Sequence, residues 1–335
     1  MSTPPLYDTA FLARLEAAVR RALPGWGLGE GASVSLLTIS ENATYRVRDE
    51  ARGIDMALRV SRPGYNSPAE IGAELAWIEA LRAEGVVETP APVPRTDGSL
   101  IAEVEDDGAI RCMTAFTFSP GAEPAADDDL PPWFEQLGAI HARLHAHARA
   151  WEKPAGFQRR IWNVETILGA KPHWGDWRAG LGLTPEGRAV IEAAASILER
   201  RLTAYGAGPE RFGLIHADLR LANFLVQGER LSVIDFDDCG FCWYFYDFAA
   251  AISFIEHEPF IPALREAWLR GYRRIGPVAP EDEAALEDFV MLRRIQLTAW
   301  IASHAETPTA QAMGVPYTEG TVALARAYLA RQERA

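Results

Sequence analysis

The feature that most constrains this chain is a polar run at positions 216 to 223, which reads HADLRLAN. It contains the pattern HxDxxxxN, formed by His216, Asp218 and Asn223. Twelve positions after Asn223, Asp235 ends the apolar run LSVID, before the residues FDD. The pattern requires a loop that presents one carboxylate and one amide, and a strand behind the loop that carries a second carboxylate.

These side chains suit phosphoryl transfer, which demands positioning and charge neutralisation more than covalent chemistry. Asp218 is expected to accept a hydrogen bond from an acceptor hydroxyl and to take its proton late. Asn223 offers a neutral oxygen and Asp235 a charged one, which suits Mg²⁺ that is also held by the phosphates of ATP. His216 is expected to be a structural member of the loop. The pattern therefore predicts an ATP- and Mg²⁺-dependent kinase.

The composition fits a globular protein with two lobes. The chain has 335 residues, of which 48% are apolar and 24% charged, enough for two cores. The net charge of -13 argues against a nucleic-acid partner, because phosphate backbones need a basic face, and it mildly favours a cationic substrate. The alternative is that the acidic residues only keep the surface solvated.

Cysteine usage and apolar runs predict a cytoplasmic protein with no membrane partner. Three cysteines leave an odd count and no disulfide framework, and the N-terminal residues lack the pattern of a signal peptide. The longest apolar stretches fall short of the roughly 20 residues that span a bilayer. Cys239 and Cys242 spell CGFC, but their apolar neighbours favour packing over metal binding.

Residues 1–118 are expected to form an N-lobe. Alternating runs predict an antiparallel sheet, and the repeat of Ile71, Leu75 and Ile78 behind Ser67 predicts the helix that packs on it. Another helix is predicted near the N-terminus. The predicted bounds are 9–23 and 67–85 for the helices and 33–40, 43–50, 55–62, 99–106 and 109–118 for the strands.

Residues 119–335 are expected to form a mostly helical C-lobe that carries the catalytic loop and the acceptor site. A segment rich in Pro, Gly and Asp marks the boundary. A Trp-rich stretch from 151 to 177 has weak periodicity and is interpreted as an irregular packed excursion. The predicted helices are 131–149, 185–205, 243–257, 260–275, 281–304 and 318–333. The fold class is α+β.

Three segments, GLIHADLRLANFLV, LSVIDFDDCG and YDFAAAI, resemble the catalytic loop, metal loop and following helix of the aminoglycoside phosphotransferase and choline kinase-like family. That family shares a two-lobed architecture with the protein kinases, and the resemblance runs from about residue 33 to about 257. Among its members, the homoserine-kinase-type small-molecule kinases look most similar. The resemblance implies that Asp247 supports the catalytic loop through hydrogen bonds.

The resemblance also implies nucleotide contacts in the N-lobe, although no GxGxxG pattern is present. The segment SENATYRV aligns with the turn over the phosphates, where Asn42 would contact phosphate. The alternative is a surface hairpin with no special role. Main-chain groups near Phe116 and Phe118 would pair with the adenine edge.

Arg59 stands where these kinases place a lysine that binds the α- and β-phosphates. Arginine keeps the charge but adds a planar fork. Its partner on the helix is expected to be Glu74, with Glu70, one turn earlier, as a competitor.

Candidate acceptor-site residues lie in the C-lobe, namely Arg220, Asp237, Glu256 and Glu258. The two glutamates would suit an ammonium group, although capping of helices is an alternative role for them. Asp237 could instead serve local turn hydrogen bonding. Arg293 and Arg294 could hold a substrate carboxylate.

The predicted acceptor is therefore a small-molecule hydroxyl on an amino alcohol, a hydroxy amino acid or an aminoglycoside-like compound. Two alternatives remain open: a Ser/Thr protein kinase of the bacterial stress-response type, and a catalytically silent nucleotide-binding module. The sequence does not determine the acceptor or the oligomeric state.

Overall fold

The computed structural model describes residues 7–40 and 42–334, and the contacts of the chain fall into two units. Unit 1 comprises Met1–Pro120, Lys153–Gln158 and Glu306–Pro308. Unit 2 comprises Gly121–Glu152, Arg159–Ala305 and Thr309–Ala335. Two short segments from later in the sequence thus belong to unit 1, which a division of the chain at residue 118 did not include.

Unit 1 is built around a five-stranded antiparallel sheet in the order β1-β2-β3-β5-β4. One face packs against α1 and the other against α2, so the sheet has apolar contacts on both sides. The elements are α1 (Thr9–Ala22), β1 (Ser33–Ile39), β2 (Ala43–Asp49), β3 (Ile54–Val60), α2 (Pro68–Ala83), β4 (Ile101–Asp106) and β5 (Ala109–Thr117). The predicted sheet and both predicted helices are confirmed within a few residues.

Unit 2 is mostly helical, with two short two-stranded ladders, β6-β9 and β7-β8, that frame the HADLRLAN loop. Its elements are α3 (Pro131–Ala150), α4 (Val164–Leu168), α5 (Pro185–Tyr205), β6 (Phe212–Ile215), β7 (Phe224–Gln227), β8 (Arg230–Val233), β9 (Gly240–Trp243), α6 (Tyr246–Ala251), α7 (Ile261–Arg273), α8 (Pro280–Ala284), α9 (Leu286–Ser303) and α10 (Pro308–Gln332). Among the described residues, no helix is both long enough and apolar enough to cross a membrane.

Three predicted helices of unit 2 were wrong in extent. The segment 243–257 contains only the short α6, because residues 240–243 pair with β6 as a strand and α6 already ends at Ala251. Beyond that end, Phe254 takes a left-handed φ of 72°, which does not continue a helix. The segment 281–304 divides into α8 and α9. The last helix begins ten residues earlier than predicted, at Pro308, and bends at Gly314, where φ is 50°.

The closest helix packing in unit 2 joins α3 to α7 through glycines. A Cβ atom on Gly138 would lie 1.9 Å from the carbonyl oxygen of Trp268, and one on Gly271 would lie 1.8 Å from that of Glu135. These helices can therefore approach only because both positions lack a side chain.

Two histidines of α3 are buried at the same packing surface. The indole N–H of Trp268 donates to His141 Nδ1 at 2.8 Å. His145 is hydrogen-bonded through Nε2 to Asp247 Oδ2 at 2.8 Å and through Nδ1 to the Tyr272 hydroxyl at 3.0 Å. Burial lowers the pKa of His141 to about 3, against an opposing influence of Asp247, and burial also lowers the pKa of His145. Both imidazoles are therefore neutral at pH 7.

We expect Gly271→Ala to destabilise unit 2 by about 1–3 kcal/mol or more, because the added methyl group overlaps a backbone oxygen that cannot move freely. The matched control is Gly72→Ala in α2, where nothing lies within 4 Å of the new Cβ. It should be neutral or stabilising, by about 0.5–1 kcal/mol. Urea unfolding measures both changes, and equal midpoints for the two variants would contradict the close approach of α3 and α7.

We expect the free energy of unfolding to fall as the pH drops below 6.5. An unfolded His141 binds a proton near its ordinary pKa of 6.5, whereas the folded one stays neutral down to about 3. The unfolded state therefore binds more protons in this window, which costs about 1.4 kcal/mol of stability per pH unit for one histidine. His141→Gln should reduce the pH dependence of the free energy of unfolding between pH 6 and 5 by about 1.4 kcal/mol per pH unit, which corresponds to one proton. An unchanged slope in urea titrations would contradict the buried neutral imidazole.

Candidate active site

The HADLRLAN loop is held from behind by two buried side chains. Asp247 Oδ1 accepts a hydrogen bond from the backbone N–H of Ala217 at 2.8 Å, where the chain takes a left-handed φ of 67°. The Nε2 atom of His216 lies 3.2 Å from the carbonyl oxygen of Ile234. Both side chains are fully buried. These contacts hold the backbone of the loop, and the supporting role of both residues in catalysis stays a prediction.

Asp218 projects from this loop with both carboxylate oxygens engaged. Oδ2 accepts from the amide nitrogen of Asn223 at 2.7 Å, and Arg220 Nε lies 3.6 Å from the same oxygen. Oδ1 forms an ion pair with Arg293 Nη2. Because the amide nitrogen of Asn223 donates to Asp218, the amide oxygen points away from the carboxylate. The structure thus brings Asp218 and Asn223 together, and the role of the Asn223 oxygen as a metal ligand stays a prediction.

Asp235 follows β8 and is solvent-exposed. Its φ of 60° is left-handed, a conformation that aspartate tolerates better than most residues. The N–H of the preceding residue, Ile234, donates to the carbonyl oxygen of Asn223 at 3.0 Å, which ties the two predicted metal ligands to adjacent backbone. In residues 7–40 and 42–334, no set of three or more acidic, histidine or cysteine side chains is placed to hold a metal ion. The predicted site uses two protein ligands together with phosphates, and it stays a prediction.

The loop after Asp235 is clamped by the Trp-rich stretch. Arg159 donates to the carbonyl oxygens of Cys239, at 2.6 Å, and Asp237, and the indole N–H of Trp162 donates to that of Asp238 at 2.9 Å. Three consecutive carbonyl groups are therefore fixed by side chains from outside the loop. The Trp-rich stretch therefore holds the backbone of residues 237–239 in place.

In unit 1, Arg59 and Glu74 form a buried two-pronged ion pair. Nη1 and Nη2 lie 2.8 and 2.7 Å from the two carboxylate oxygens, which uses two of the five N–H groups of the guanidinium. Glu70 instead accepts from the backbone N–H of Ser67 at 2.8 Å in a capping box at the start of α2. The cap decides between the two glutamates in favour of Glu74.

Asn42 helps to shape the turn between β1 and β2. Its side-chain oxygen accepts from the N–H of Arg62 at 3.2 Å, and its carbonyl oxygen accepts from the N–H of Ser40 at 2.9 Å. Glu41 lies outside the described residues. Contact of Asn42 with phosphate stays a prediction.

The predicted adenine contacts at Phe116 and Phe118 are restricted by the sheet. The N–H of Thr117 donates to the carbonyl oxygen of Ala91 at 2.8 Å, and that of Phe118 donates to Asp55 at 3.2 Å. These two N–H groups therefore already have partners within the unit, and main-chain contact of Phe116 and Phe118 with adenine stays a prediction.

A cavity of about 320 Å³ lies on the other face of the same sheet. Its lining includes Phe11 and Leu15 from α1 and Val60 from β3, whereas Arg59 faces α2. No residue that the sequence predicted as functional lines it, so we do not assign it to the nucleotide.

The acceptor-site candidates separate into different environments. Glu256 is buried and binds Arg294 at 2.7 Å and the Tyr317 hydroxyl at 3.0 Å, a structural role rather than the expected substrate contact. Glu258 is partly exposed and lies 3.4 Å from His257. Asp237 is 5% exposed, which leaves Arg220 as the candidate beside Asp218.

Arg293 and Arg294 are also not placed as expected. Both side chains are buried in ion pairs within unit 2, Arg293 with Asp218 and Arg294 with Glu256. Neither is presented to bind a substrate carboxylate. The contact of Arg293 with Asp218 had no signal in the sequence beyond the presence of an arginine pair.

Comparisons with known proteins agree with this geometry. Residues 36–288 match the model of the phosphotransferase enzyme family. The structure of a microcompartment-associated aminopropanol kinase is 42% identical, with a TM-score of 0.88 over 94% of this chain and 98% of that one. An uncharacterised protein of Deinococcus radiodurans is 31% identical over 88% of this chain and 84% of its own length.

A more distant structure, the amicoumacin kinase hAmiN in complex with AMP-PNP, Ca²⁺ and Ami, is 22% identical with a TM-score of 0.73 over 94% of this chain and 93% of that one. At that identity it shows the fold alone. The resemblance stated from the sequence is confirmed: this chain belongs to the phosphotransferase enzyme family and is a kinase with the protein-kinase-like fold.

Proposed function

We propose that this protein transfers the γ-phosphate of ATP to the hydroxyl group of a small amino alcohol of the aminopropanol type. Similarity to the aminopropanol kinase supports the acceptor class, because it extends over nearly the whole of both chains. The amicoumacin kinase structure, in complex with AMP-PNP and Ca²⁺, shares only the fold at 22% identity, so the choice of ATP and Mg²⁺ rests on the residues of this chain. The observation that carries the proposal is the pairing of Asp218 with Asn223 at 2.7 Å on one loop.

Each residue has a defined part in this proposal. Asp218 receives the hydrogen bond and then the proton of the acceptor hydroxyl. The amide oxygen of Asn223 and the carboxylate of Asp235 fit a hard cation, because both are oxygen ligands carried by adjacent backbone. Mg²⁺, when bound there with ATP, would neutralise phosphate charge. Arg220, with 28% of its side chain exposed beside Asp218, supplies a fixed positive charge for the transferred phosphate.

The phosphate contacts in unit 1 and the acceptor contacts in unit 2 complete the proposal. Arg59, oriented by Glu74, binds the α- and β-phosphates, while Asn42 and the main chain at Phe116 to Phe118 contact the rest of the nucleotide. Glu258, which is partly exposed, is the remaining carboxylate proposed to attract the ammonium group of the acceptor. The net charge of -13 also favours an acceptor that carries a positive charge.

We expect aminopropanol to give the highest kcat/KM in a panel with ethanolamine, choline, homoserine and an aminoglycoside. ATP consumption measured with Mg²⁺, together with identification of the phosphorylated product by mass spectrometry, tests this. Turnover restricted to homoserine would indicate a hydroxy amino acid kinase. Labelling of protein with no small-molecule product would reject the proposed acceptor class.

We expect Asp218→Asn to lower kcat by about 10²–10⁴-fold, because the amide cannot accept the hydroxyl proton. Asparagine keeps one oxygen for Arg293, so the substitution disturbs the fold less than alanine. Glu186→Gln is the matched control, since it neutralises an exposed carboxylate that pairs with surface Arg326 at 2.6 Å. Activity of Asp218→Asn within about threefold of wild type would refute the assignment of Asp218 as the base.

A further inference from the structure

Arg293 on α9 is a buried cation that reaches the catalytic loop from far along the chain. Only 1% of the residue is exposed. Its Nη2 atom binds Asp218 Oδ1, Nε donates to the Ser253 hydroxyl at 3.0 Å, and Nη1 lies 3.4 Å from both the carbonyl oxygen of Ala217 and the Tyr246 hydroxyl. The guanidinium is thus held at all three of its nitrogens.

The contact with Tyr246 has a defined direction. The Tyr246 hydroxyl donates its hydrogen to Gln296 Oε1, so its oxygen is left to accept from Arg293. Burial raises the pKa of Tyr246, which keeps the hydroxyl protonated and preserves this direction. The indole ring of Trp174 lies 4.9 Å from the guanidinium carbon and covers it further. Ser253, Tyr246 and Trp174, none of which belongs to the HADLRLAN loop, therefore hold Arg293 together with the carbonyl oxygen of Ala217 in that loop.

We propose that Arg293 is the positioning residue for Asp218, and this inference rests on the proposed function. With Oδ1 fixed by Arg293, the carboxylate cannot rotate, and Oδ2 becomes the oxygen that meets the acceptor hydroxyl beside Arg220. Arg293 itself gains and loses no proton, because a guanidinium stays charged in proteins. Its effect on the reaction is the placement of the base, and small errors in such placement cost about 10²-fold in rate.

A purely structural role for Arg293 is the alternative, and the neighbouring residue provides its control. Arg294 is equally buried, with 2% exposed, and forms an ion pair of the same kind with Glu256 on the same helix. Its other partners are Tyr317 and Thr321, and none of these contacts involves the catalytic loop. Loss of either arginine removes a buried ion pair, but only loss of Arg293 releases Asp218.

The test compares Arg293→Met, Arg293→Lys and Arg294→Met at a temperature where circular dichroism shows each variant folded. We measure kcat and the KM for ATP, with and without aminopropanol as acceptor. Arg293→Met should lower kcat about 10²-fold or more and leave the KM for ATP within about threefold, whereas Arg294→Met should keep kcat within about threefold. Arg293→Lys should lower kcat less than Arg293→Met does, because lysine keeps the positive charge but lacks the several fixed N–H donors of the guanidinium.

A cycle with Asp218→Asn separates positioning from stability. Once the base is absent, Arg293→Met should cause no further loss of turnover, because the two residues act as one unit. Additive losses would overturn the inference, as would equal kcat for the folded Arg293→Met and Arg294→Met variants. If Arg293→Met does not fold, Tyr246→Phe decides, since it removes one anchor and keeps the ion pair. An unchanged kcat in that variant overturns the inference, and a decrease of about threefold or more supports it.

Failure of the proposed function gives a different result. If the wild-type protein consumes ATP but phosphorylates no amino alcohol, the proposed acceptor is wrong, and the same variants are compared by their ATP hydrolysis. If the wild type consumes no ATP under any condition, both the proposed function and the role of Arg293 are overturned.

Discussion

Asp247, buried at the start of α6, connects the catalytic loop to the helical core. One carboxylate oxygen accepts from the N–H of Ala217, and the other is bonded to His145 on α3. A buried carboxylate is stable only when its oxygens have partners, so the loop and α3 are both required. The hydrogen bond from Ala217 also holds this residue in a left-handed conformation. Such a conformation costs about 1–3 kcal/mol and persists only where surrounding contacts offset it. The projection of Asp218, the next residue, depends on that backbone geometry.

Elements with local signals were predictable from the sequence. The sheet of unit 1 followed from alternation, and the HxDxxxxN spacing located the loop that carries Asp218 and Asn223. The choice of Glu74 over Glu70 was also available, because Ser67 and Glu70 have capping-box spacing and a glutamate used at a cap is not available to Arg59.

Contacts between distant positions left no such signal. Arg293 lies 75 residues from Asp218, and α9 is buried on nearly every side, so no periodicity shows which way that arginine faces. Glu256 follows Phe254 by two residues and looked like part of an exposed acidic group with Glu258. The structure separates them, because the chain leaves helical geometry at Phe254 and directs Glu256 into the core. Arg159 binds backbone carbonyl groups. Every residue has such a group, so the residue types of the loop do not indicate this contact.

The ion pairs of Asp218 and Glu256 with successive arginines make α9 part of both the fold and the chemistry. Removing one member of a buried pair leaves an uncompensated charge and costs about 3–5 kcal/mol, whereas replacing both members by apolar groups can be neutral. The Arg294–Glu256 pair is therefore replaceable in principle by a well-packed apolar pair. In the proposed function such a replacement is closed to Arg293 and Asp218, since a base at Asp218 must remain a carboxylate. The proposed reaction, rather than stability, would then account for the arginine at 293.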